Sequence, residues 1–152
     1  MSESQRDIEV LRRYLEAVSG GDIDLDVLDE TLADDVVHHG MPEGRQSGRV
    51  GMKAQQESFG STWADRNIEI EDVVAAGGRV AARLTLSARH VGEFGGIEAT
   101  GNQIRVDLMA FARVEDGRIA EWWEVADVLG LLEQLGVSPL QSGLRTDNRG
   151  GG

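Results

Sequence analysis

The side chains whose types and spacing suit acid–base chemistry in this chain are two carboxylates and three histidines. In the stretch Arg118 to Asp127 the alternate positions are Ile119, Glu121, Trp123, Val125 and Asp127. A strand turns every second side chain to the same face, so an interior Ile119 and Val125 would carry Glu121, Trp123 and Asp127 inward with them. An unpaired carboxylate is costly to bury, and one held in an apolar pocket has its pKa raised into the range of a general acid or base. The plain structural alternative is that Asp127 caps a helix starting at Val128 while Glu121 pairs with an arginine. His90 ends another alternating row, Val80, Ala82, Leu84, Leu86 and Ala88, where a lone histidine is most often a hydrogen-bonded core residue. His38 and His39 are neighbours and point to opposite faces of an extended segment, which defeats a chelate from that pair. No H-x-H or H-E-x-x-H spacing occurs, so no metal site is expected.

Other chemistries lack their residues. The chain has no cysteine, which removes disulfides, thiol nucleophiles, zinc–thiolate sites and iron–sulfur ligation. The Gly-rich pieces at Gly77-Gly78 and Gly92 to Gly96 lie between strand patterns, not ahead of a helix, and do not form a phosphate cradle. There is no G-x-S-x-G elbow and no visible anchor for a cofactor. With 27 acidic against 15 basic residues, a net charge of −12 argues against nucleic acid and anionic membranes as partners. Every basic residue except Lys53 is an arginine, and with 20 glycines the composition looks halophilic. Charged residues crowd the first twenty positions, and no apolar run approaches a membrane span, so a cytoplasmic protein is expected.

The elements that must position these groups change period midway. Ile8, Leu11, Leu15 and Val18 form one helical stripe, with Ser4 and Asp7 as a capping box and Gly20-Gly21 as its end. A second helix fits Asp24 to Ala33, followed by an extended piece Val36 to His39, a loop from Gly40 to Gly48 and a third helix from Arg49 to Trp63. From Asn67 the period is two. Ile68 and Ile70 mark one strand, Arg79 to His90 a second, and Gln103 to Glu115 a third. On that third strand Met109 and Phe111 make the outer face apolar as well, which implies cover from both sides. Glu115-Asp116-Gly117 is a hairpin turn into Arg118 to Asp127, and a short helix closes at Gly136. Helices followed by long antiparallel strands predict an α+β domain over residues 1–138, with a curved sheet, an internal cavity and a polar tail over 139–152.

Three segments resemble the SnoaL-like polyketide cyclase family of the NTF2-like superfamily. They are Leu32-Ala33-Asp34-Asp35-Val36-Val37-His38-His39, the hairpin Arg89 to Gly101 with its G-E-F-x-G-I and A-T-G pieces, and Asp116 to Asp127 followed by Gln134-Leu135-Gly136. The last is similar to the family's D-G-[KR]-I-x-E-x-W-x-x-x-D ending and Q-L-G tail. The resemblance implies a cone of antiparallel strands capped by N-terminal helices, usually a homodimer or tetramer built through the sheet. It implies an aspartate, matching Asp127, as acid/base in a cofactor-free aldol ring closure. Residues matching His39 and His90 are then implied to assist at the pocket, with Trp123, Glu121, Phe94, Trp63 and Phe59 against the substrate.

The expected activity is ring closure or a related proton-transfer isomerisation on a small carbonyl compound. The alternatives are a non-catalytic small-molecule binder and an epoxide hydrolase or dehydratase on the same fold. A hydrolase would draw on Asp107 and Arg105, which share a strand face with Gln103.

Overall fold

The computed structural model describes residues 1–40 and 48–138. Most of the loop expected at Gly40 to Gly48, and the tail at 139–152, lie outside the described residues. The element order is α1 (Glu3–Ala17), α2 (Leu25–Thr31), β1 (Leu32–His38), α3 (Gly48–Thr62), β2 (Trp63–Ala76), β3 (Arg79–His90), β4 (Gln103–Glu115), β5 (Arg118–Ala126) and α4 (Val128–Gln134). The fold is α+β, as the two periods predict.

Local chemistry sets the boundaries. Helix α1 starts earlier than the expected Ser4–Asp7 box. Ser2 is the cap, its hydroxyl accepting from the Gln5 amide while the Gln5 side chain accepts from the Ser2 amide at 2.8 Å. Asp24 caps α2 as expected, accepting from Val27. Trp63 opens β2 rather than ending α3, because its indole belongs to a core cluster with Ala88, Ile104 and Leu131. Between β4 and β5, Asp116 and Gly117 both take positive φ, 51° and 75°, the pair of left-handed residues that a two-residue hairpin turn requires.

The five strands form one sheet in the order β1-β5-β4-β3-β2. Strand β1 runs parallel to β5, and the other pairs are antiparallel. The inner face meets the helices. Leu11, Tyr14 and Leu15 of α1, its C-cap Val18 and Leu28 of α2 share one buried cluster with Val80, Ala82 and Leu84 of β3, Ala110 and Ala112 of β4, and Ile119 and Trp122 of β5. The even rows of β3 and β4 point inward as read from their period. Among the described residues, no helix is long and apolar enough to cross a membrane.

Register irregularities decide what faces the interior, and two of them set the cavity wall. On β5, Glu121 pairs with Arg113 of β4 while Ile119 pairs with Val114, so Ala120 is an extra residue, a β-bulge. Beyond it the facing set changes from odd to even. On β2 the register shifts between Ala64 and Asn67, where Asp65 adopts φ 55°. That step turns Arg66 to the inside, where it is buried and in phase with Ile68 and Ile70.

Candidate active site

The bulge at Ala120 reverses the expected inward row. Trp122 opposes Ala112 and Glu124 opposes Ala110, both inward partners, so Trp122 and Glu124 face the interior. Trp123 opposes Phe111 and Val125 opposes Met109 on the outer face, and Val125 is 74 % exposed. The inward placement of Glu121, Trp123 and Asp127 is therefore corrected. One inserted residue moves every later side chain to the opposite face.

Strand β1 sits beside this part of β5, with His38 in register with Trp122. The His38 side chain is only 6 % exposed, and its Nε2 lies 3.5 Å from Oε1 of Glu124, whose side chain is 34 % exposed. Nδ1 of His38 is buried with no hydrogen-bond partner among the described residues. This pair borders an internal cavity of about 350 Å³. Trp122 forms part of its wall, edge-on to the ring of Tyr14 at 5.2 Å.

The helices add a second polar group. The Gln56 amide of α3 donates to the Tyr14 hydroxyl oxygen at 3.2 Å, and its carbonyl accepts from Nη1 of Arg66 at 3.2 Å. Because the Tyr14 oxygen is occupied as an acceptor, its own proton is free to be donated. Burial, and then the nearby Glu124 carboxylate, push the Tyr14 pKa upward. The phenol thus stays a neutral donor at neutral pH. Burial pushes the Arg66 guanidinium in the opposite sense, downward.

The aromatic residues read from the sequence divide between the faces. Phe59, Trp63 and Phe94 all line the cavity, with Trp63 and Phe94 5.3 Å apart. Trp123 lies on the outer face, where its ring stacks on His39 at 4.5 Å and meets Phe111 edge-on at 5.6 Å. His39 stands at the rim of the cavity, but its ring turns outward and its Nε2 meets Glu121 at 2.9 Å. Arg113 holds the other oxygen of Glu121 at 3.0 Å. These contacts, that from His39 foremost, hold the Glu121 carboxyl below its ordinary range.

His90 is fully buried behind Trp63, 5.0 Å between rings, rather than at the cavity surface. The Thr100 amide donates to its Nδ1 at 3.1 Å, so Nδ1 serves as an acceptor. Asp127 is exposed and caps α4, accepting from the Gly130 amide at 2.9 Å. A Cβ on Gly130 would stand 2.3 Å from Oδ2 of Asp127, so the carboxylate is seated in space that the glycine leaves open.

His38, Glu124, Trp122, Tyr14, Gln56 and Arg66 escaped the period-two reading. A signal for Trp122 and Glu124 was present. Ile119 and Trp122 are large apolar residues three apart in a strand, a spacing that only a bulge reconciles with one buried face.

The profile of the SnoaL-like polyketide cyclases matches residues 8–135. The chain belongs to that family. SnoaL-like relatives include the aklanonic acid methyl ester cyclase DnrD of Streptomyces peucetius, 31% identical over 135 residues that cover 85% of this chain and 90% of DnrD. DauD of Streptomyces sp. (strain C5), another aklanonic acid methyl ester cyclase, is 28% identical over 137 residues, covering 85% of this chain and 81% of DauD. Among solved structures, TsrD from Streptomyces laurentii superposes with a TM-score of 0.80 at 32% identity, over 90% of this chain and 98% of TsrD. IdmH from Streptomyces antibioticus gives 0.75 at 31% identity, over 86% of this chain and 99% of IdmH. The SnoaL-like chain thus shares the NTF2-like fold along with the sequence profile.

Proposed function

We propose that the protein is a cofactor-independent cyclase in which Glu124 and His38 carry the proton of an intramolecular aldol ring closure. The observation that supports this reading is the Glu124–His38 pair at the wall of an apolar, aromatic-lined cavity. A carboxylate and an imidazole in contact can accept a proton at one atom and return it from another. The Glu124 carboxylate takes a proton from the carbon next to a carbonyl, leaving an enolate. The Tyr14 hydroxyl donates to the enolate oxygen, in a site where water is displaced by the ring walls. The enolate carbon bonds to the carbon of a second carbonyl in the same molecule. The oxygen of that carbonyl takes up the proton, returned from Glu124 through His38. No atom is gained or lost, so the reaction is an isomerisation driven by holding the two carbons together.

The acid/base role expected for Asp127 from the family resemblance is the second reading. In that case the carboxylate would have to leave its cap on Gly130 to reach substrate. Aklanonic acid methyl ester, the compound that names the two curated relatives, and the corresponding free acid are the first substrates to test. Glu124→Gln and His38→Asn should lose ring closure while Asp127→Asn retains it. The reverse order would favour the second reading.

The same proposal includes a homodimer closed through the outer sheet face. Val74, Met109, Phe111 and Val125 are all exposed there, beside Trp123. A contiguous apolar patch of this kind marks an interaction surface on a soluble domain.

A further inference from the structure

Arg66 is a charged residue of the cavity that the ring-closure chemistry leaves unused. It is 6 % exposed, it lines the cavity, and its hydrogen-bond partner among the described side chains is the neutral amide of Gln56. No carboxylate of the described residues lies within ion-pair distance of it. Glu124 pairs with His38, and Asp65, its neighbour in sequence, faces outward and pairs with Arg89 at 3.4 Å. Tyr14, held neutral by burial, supplies no compensating charge. A buried charge without a counter-charge is strongly unfavourable, and proteins pair such groups or neutralise them. Here the missing counter-charge has a space to occupy, because the guanidinium borders the cavity.

Resting on the reading of this cavity as a substrate site, we propose that the substrate carries a carboxylate, which docks on Arg66. The planar fork of a guanidinium matches a carboxylate with two parallel hydrogen bonds, and in a dry pocket such bonds are charge-assisted. Strand order supports a two-ended site. Arg66 comes from β2, at one edge of the sheet, whereas His38 and Glu124 come from β1 and β5 at the other. The side chains from Arg66 through Gln56 to Tyr14 and Trp122 connect the two ends. An acid group held on Arg66 would leave the rest of the molecule directed along the aromatic wall toward Glu124.

The test uses anthraquinone-2-carboxylate and its methyl ester, titrated calorimetrically into the parent protein and into Arg66→Met, Arg66→Lys and Glu124→Gln. The parent should bind the acid about tenfold or more tightly than the ester, the size expected for a hydrogen-bonded charge. Arg66→Met should lose that preference, and Arg66→Lys should keep part of it. Without ligand, Arg66→Met should melt no lower than the parent, because it removes an uncompensated buried charge. Glu124→Gln should keep the acid preference while losing ring closure, which separates this inference from the acid/base reading. Equal affinities of the parent for acid and ester would overturn the inference alone. So would a preference that survives in Arg66→Met, or an Arg66→Met protein that melts well below the parent. Failure of both compounds to bind would overturn the inference together with the reading of the cavity.

Discussion

At the scale of single residues, the division of labour turns on which carboxylate has a free face. Asp127 is engaged by the Gly130 amide at the start of α4, whereas Glu124 meets His38 beside the cavity. Tyr14 adds a donor whose oxygen already accepts from Gln56. Tyr14→Phe removes that donor and leaves the ring against Trp122, so the fold should persist while kcat falls. Loss of one oxyanion donor is of the order of 10²-fold in other sites, and a drop of about tenfold to a hundredfold in kcat with KM little changed is expected. A fall confined to KM would assign Tyr14 to binding only.

At the scale of the element, strand β5 carries the argument, and it shows what the sequence made legible. Strands β3 and β4 keep strict alternation from end to end, so their bounds and inward rows could be read directly from the period. The hairpin turn at Asp116-Gly117 and the Asp24 cap were legible because each depends on local chemistry. The inward row of β5 was not, because the bulge at Ala120 is a pairing event between β4 and β5, visible only once Arg113 and Val114 find their partners. Arg66 was hidden for the same reason behind the irregular turn at Asp65. Phe59, Trp63 and Phe94, which the resemblance implies, line the cavity, whereas the bulge hides Trp122 from a period-two reading by exchanging its face with that of Trp123.

The outward residues of β5 have their own consequence. Glu121 is held ionised by His39 and Arg113, below its ordinary pKa of 4.5. A carboxyl whose folded pKa is lowered contributes stability above the unfolded value, and that stability is lost as pH falls through the folded one. Melting temperature should therefore fall as pH drops below about 4.5, and the fall should be shallower in Glu121→Gln. Parallel curves for the two proteins would show that the His39–Glu121–Arg113 cluster has no such role.

At the scale of the whole molecule, the two proposed functions fall on opposite faces of one sheet. The inner face holds the cavity and its polar groups, and the outer face presents an apolar patch beside an ion-pair cluster. Val125, opposite Met109 at the centre of that patch, points away from the core, so a charge there should leave the fold intact. Val125→Arg should shift the protein from dimer to monomer in sedimentation velocity, with its far-ultraviolet circular dichroism unchanged. A parent protein that sediments as a monomer, or a variant still dimeric, would contradict closure through this face.

The most direct test of the central claim is the rate of ring closure of aklanonic acid methyl ester and of its free acid, measured together with deuterium uptake at the reacting carbon. Parent, Glu124→Gln and Asp127→Asn proteins would be compared under identical conditions. The parent should accelerate both processes. Glu124→Gln should lose on the order of 10²- to 10⁴-fold in each, the usual reach of a general base. Asp127→Asn should stay within a few-fold of the parent rate and should lose at most about 1 kcal/mol of stability from its weakened cap. A Glu124→Gln protein as fast as the parent, or a parent that accelerates neither process, would contradict the account.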